Sequence, residues 1–165
     1  MKKTLCILLA LALCLFGAAV AETTAIANPW VDATAGDIAE AIGAAFGIPE
    51  GAENVEYSLL PDEGLAEMRF TLDDMTYVAR IQPAEEFTDI SGMYYEWEAD
   101  APFSVAGFEG LDQRATDGEE TVELCQWFDA PSGLVYSLSV YTTDPDGLDL
   151  TAVAEQVNLS VLGDV

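Results

Sequence analysis

Thirty of the 165 side chains are carboxylic acids and none is a histidine. Any chemistry must therefore be carried by acids, aromatics or cysteine. The acids bunch into a ligating pattern in Asp144-Pro145-Asp146-Gly147-Leu148-Asp149, which puts three carboxylates and a glycine in six residues. Calcium takes six to eight oxygen ligands and favours acidic turns of this kind. The spacing is not that of an EF-hand, whose glycine stands sixth and whose glutamate stands twelfth. Asp144, Asp146 and Asp149 are thus a weak calcium set. The simpler expectation is a turn into a helix N-terminus, where acidic residues suit the helix dipole.

Adjacent acids at Asp73-Asp74, Glu85-Glu86 and Glu119-Glu120 raise the question of glycoside hydrolysis, which uses two carboxylates. In so acidic a chain such pairs arise by chance. Cys125 has no histidine or lysine beside it to make a thiolate, so it reads as a core residue. Without histidine there is also no Ser-His-Asp set and no zinc cluster. Neither catalysis nor a cofactor is expected. Tyr94, Tyr95, Trp97, Trp127 and Phe128 are candidates for a ligand surface. Alternation sends Trp127 to the side opposite Phe128, so one face must be core and the other covered or exposed.

The elements that position these residues follow from periodicity. Thr34 can cap a helix over 35–46, with Ile38, Ala41, Ile42 and Ala45 in one stripe. Period-two patterns then predict strands over 55–60, 65–72, 75–82, 93–98, 103–108, 111–116, 120–128 and 134–142. Arg69 and Arg80 fall on polar faces, where each suits a cross-strand ion pair. Asp117-Gly118 signals a hairpin. A final helix over 149–157 places Leu150, Val153, Ala154 and Val157 together. Strands in a run, with helices at the ends, predict an α+β fold: an antiparallel sheet of about six to seven strands, covered on one face by an N-terminal and a C-terminal helix.

The first 21 residues predict a secretory signal peptide: Lys2-Lys3, an uncharged run over 5–16, and an Ala19-Val20-Ala21 exit. The run is shorter than the roughly 20 residues that cross a bilayer. Leu11-Ala12-Leu13-Cys14 resembles a lipid-attachment box, but the bulky Leu13 and the position of Cys14 inside the apolar run favour plain secretion. A short leader over 22–28 and one domain over 29–162 follow. Cleavage after Ala21 leaves 144 residues and shifts the formal charge from −25 to −27, because Lys2 and Lys3 go with the leader. Three arginines cannot displace phosphate counterions, so nucleic acid is excluded as a partner, and an anionic membrane surface is disfavoured for the same reason. Cations, basic proteins, neutral sugars and apolar ligands remain compatible. Self-repulsion favours a monomer.

Asn28-Pro29-Trp30, Met75-Thr76-Tyr77-Val78-Ala79-Arg80, Asp89-Ile90-Ser91-Gly92, Leu124-Cys125-Gln126-Trp127, Tyr136-Ser137-Leu138-Ser139 and Asp146-Gly147…Ala152-Val153-Ala154-Glu155-Gln156 stand in an order similar to a family of uncharacterised exported proteins from gut anaerobic bacteria. The resemblance implies export and a shared fold, and no catalytic residue. More distantly the chain resembles secreted domains related to envelope lipoprotein carriers and sensors, whose curved sheets hold apolar ligands. The leading expectation is an exported, non-catalytic binding domain at or outside the cell envelope. The alternative is an apolar-ligand carrier with Met68, Phe70, Tyr77, Tyr95, Trp97, Tyr136 and Leu138 lining its pocket.

Overall fold

The computed structural model describes residues 28–158. The predicted signal peptide, its Cys14 box, almost all of the leader and the last few residues assigned to the domain lie outside them. Among the described residues no helix is long and apolar enough to cross a membrane.

The chain folds as one antiparallel sheet with two short helices. The strands are β1 (Val31–Ala33), β2 (Glu53–Leu60), β3 (Leu65–Leu72), β4 (Met75–Pro83), β5 (Ala99–Val105), β6 (Phe108–Asp117), β7 (Glu120–Asp129) and β8 (Leu134–Thr142). Helix α1 (Ala35–Ile42) follows β1, and α2 (Leu150–Val157) follows β8. The sheet has eight strands in the order β1-β2-β3-β4-β8-β7-β6-β5, rather than the six to seven expected.

Three differences from the predicted elements have local causes. Three-residue β1 is too short to show alternation, and exists because Val31–Ala33 pair with Tyr57–Leu59. Helix α1 stops at Ile42 because Gly43 adopts a left-handed φ of 77° and donates its N–H to Ala39 O, an αL helix end. Residues 93–98 alternate like a strand yet form none. The strand pair after them turns instead at Ala106-Gly107, both with positive φ, as a two-residue hairpin of the I′ type demands.

Each helix is eight residues long and capped by its own sequence. The Thr34 side chain accepts from Asp37 N while Asp37 accepts from Thr34 N, a complete capping box. Asp149 accepts from Ala152 N at the start of α2. Both helices lie on one face of the sheet, where Ile38, Ile42, Leu150, Val153 and Val157 join a core built on Met68, Phe70, Tyr77, Tyr136, Leu138 and Trp127.

The other face is crossed by the chain itself. Strand β4 is already paired on both sides, by β3 and β8, so β5 must be reached at the far edge, four strand positions or about 19 Å away. Residues 84–98 make that crossing as an irregular strap. Ile90 of the strap packs on Leu65 and Val135, with Trp30 and Phe128 beside them, as a small second core.

Candidate functional site

Strand register assembles a polar cluster on the strap face. Glu67 of β3 lies opposite Arg80 of β4, and Arg69 stands two residues along β3 on the same face as Glu67. Arg80 Nε donates to Glu67 Oε2 at 2.9 Å, and Nη2 lies 2.9 Å from the same oxygen. Arg80 Nη1 reaches up to the strap carbonyls of Ile90 and Ser91, and its guanidinium lies 5.4 Å from the centre of the Trp30 ring. This is the cross-strand ion pair expected of Arg80, with a further task of holding down the strap. Gly92 must be glycine there: its φ is 65°, and a Cβ would press on Arg80 Nη1.

Arg69 is placed differently. Its Nη2 donates to the other oxygen, Glu67 Oε1, at 3.2 Å, while the side chain stays 54% exposed. Both oxygens of Glu67 are therefore engaged, and Arg69 keeps most of its five N–H donors directed at solvent. Two open clefts meet at this pair. One of about 590 Å³ runs from Arg69 past Trp30, Asp32, Glu56 and Ser58. The other, about 470 Å³, runs under the strap past Tyr94, Tyr95, Ser139 and Tyr141.

The structure divides the predicted aromatic surface. Tyr94 is 95% exposed. Tyr95 is half-buried: its hydroxyl bonds Asp117 Oδ2 at 3.0 Å and Tyr141 Oη at 2.9 Å, and its ring meets Trp97 edge-on. The bond to Tyr141, with some burial and the nearby Asp117, pushes the Tyr95 hydroxyl pKa well up. Trp127 belongs to the opposite face and is wholly buried, stacked on Tyr136 at 5.0 Å with its indole N–H donated to Asn158 Oδ1. It is core and presents no ligand surface.

The carrier pocket meets the same packing. Of its predicted lining, Met68, Phe70, Tyr77, Tyr136 and Leu138 are buried in the main core, whereas Tyr95, with Trp97 against its ring, lies on the opposite face along the cleft under the strap. The calcium set does not converge either. Asp149 caps α2, Asp144 folds against Gly147, and Asp146 points outward with Oδ1 3.7 Å from Arg114. Among the described residues no group of three or more acids, cysteines or histidines is placed to hold a metal ion.

One acidic site was invisible in the sequence. Asp112 and Glu123 face a cleft of about 390 Å³ beneath the turn at 145–151. Arg114 Nε lies 2.6 Å from Glu123 Oε1 as a close ion pair, while the buried Asp112 Oδ1 has no hydrogen-bond partner. Burial raises the pKa of both carboxyls, against the pull of Arg114. Burial likewise raises the thiol of Cys125 well above its ordinary value. In the sequence Glu123 is one acid among thirty. Only the register that sets it beside Arg114 gives it a distinct environment.

Comparisons with protein families, curated proteins and solved structures find no match.

Proposed function

We propose that the protein is exported and works as a non-catalytic binding domain at or outside the cell envelope, engaging its partner through the groove on the strap face. One observation carries this reading. Arg69 is held by Glu67, yet keeps unused donors in an open cleft, beside a tyrosine that contributes almost nothing to the core. A cation held in place with its donors unused is preorganised for an outside group. The spread of acidic residues keeps polyanions away and leaves neutral or cationic partners.

The test is retention on immobilised exported protein from the native envelope and extracellular fraction. A component should be held saturably by the natural protein and lost from the double variant Arg69→Glu/Tyr94→Ala, assayed at a temperature where circular dichroism shows both proteins folded. Retention that is the same for both proteins, or never saturates, overturns the reading.

A further inference from the structure

We infer that the groove takes a neutral saccharide, with vicinal hydroxyls bound around Arg69 and a sugar ring seated on Tyr94; this rests on the binding reading above and names its ligand class. The balance of donors and acceptors decides the class. A carboxylate or phosphate ligand needs donors alone, and an ammonium needs acceptors alone. The groove offers both: the guanidinium of Arg69 donates, Asp32 and Glu56 accept, and the Ser58 hydroxyl does either, while Tyr141, whose proton goes to Tyr95, can still accept. A sugar hydroxyl donates and accepts at once, so neighbouring hydroxyls match a mixed set that would leave a simple ion half-opposed.

Charge points the same way. With −27 on the exported chain, an anion meets repulsion at long range, whereas a neutral ligand is indifferent to it. Across the groove Arg69 and Arg80 stand against Asp32, Glu56 and Glu67, a net of one negative charge, so the lining opposes an anion, while the Arg69 guanidinium at its centre opposes a cation. Tyr94 supplies an apolar ring face with a polar tip, and its near-complete exposure has no structural use within the fold. Each cleft lies within the range of about 300–1,000 Å³ typical of small-molecule sites, and the two adjoin at Arg69, which suits several linked rings better than one.

The experiment is a heteronuclear NMR titration of the exported protein with cellohexaose, maltohexaose and chitohexaose, and with hexagalacturonate as the charged comparator at matched ionic strength. At least one neutral hexasaccharide should shift the signals of Trp30, Arg69 Nε, Tyr94 and Tyr141 saturably. Tyr94→Ala should weaken it by about three- to tenfold without changing the melting temperature, because that side chain is outside the core. Tighter binding of hexagalacturonate, shifts confined to residues remote from Arg69, or no saturable shift with any neutral sugar overturns the inference. If sugars fail while the envelope component is still lost from the Arg69→Glu/Tyr94→Ala protein, the binding reading stands and only the ligand class falls.

Discussion

Glu123 shows how a single side chain acquires a property its sequence neighbours lack. It is 4% exposed and paired with Arg114, yet burial raises its pKa above the ordinary 4.5, with Arg114 opposing the rise and Asp112 adding to it. A carboxyl with a raised folded pKa binds its proton more tightly in the fold than in the unfolded chain. Its contribution to stability is then complete below the unfolded value and is lost as pH climbs from 4.5 through the folded value. Asp112 is shifted the same way. Glu123→Gln should therefore be more stable than the natural protein at neutral pH, with the difference shrinking as pH falls toward 4.5. Urea unfolding across that window checks it: parallel curves for the two proteins would show that Glu123 titrates alike folded and unfolded. Alternation put Arg69 and Arg80 on polar strand faces, and the expected cross-strand ion pair forms at Arg80, whereas Arg69 pairs along its own strand with Glu67. That Glu67 joins them, and that Arg80 is enclosed while Arg69 is not, depends on a register and a strap far away in the chain.

Residues 84–98 are the element that departs most from a period-two reading. Tyr95 and Trp97 alternate with Glu96 and Glu98, but a strand needs a partner edge, and over the strap face the sheet presents only side chains. The segment is fixed instead by a few specific bonds: Arg80 to two strap carbonyls, Tyr95 to Asp117 and Tyr141, and Glu98 Oε1 to Thr116 N. Arg80→Ala should remove the first of these and leave the buried Glu67 without its closest cation. The expected loss is about 3 kcal/mol in chemical denaturation, together with faster chymotrypsin cleavage after Tyr94 and Tyr95. Arg69→Ala, at a half-exposed pair, should cost under about 1 kcal/mol and leave cleavage unchanged. Equal losses from the two variants would mean that Arg80 does not latch the strap. Lysine at position 80 should not restore the latch, because only the planar guanidinium reaches Glu67 and the strap together.

At the scale of the whole molecule, charge and topology act separately. Thirty carboxylates against so few cations should make the fold repel itself, so melting temperature should rise with sodium chloride as screening sets in. Calcium at matched ionic strength should add nothing further, because Asp144, Asp146 and Asp149 do not converge. A specific calcium gain abolished by Asp146→Ala would revive the metal site, and indifference to sodium chloride would end the repulsion argument. The α+β class, most of the antiparallel strands and two end helices, the first with its cap at Thr34, were written in the sequence by itself, because alternation, helical stripes and capping act over a few residues. The same local rules could not show β1, the eighth strand of the sheet, or the fate of Trp127, Tyr94 and Tyr95, three aromatics of similar promise. Which of them is core, exposed or bonded was decided by the order β4-β8-β7-β6-β5. That order forces residues 84–98 across one face while both helices cover the other. Non-local pairing of this kind is set by which faces bury each other, a property of the assembled sheet rather than of any stretch of chain.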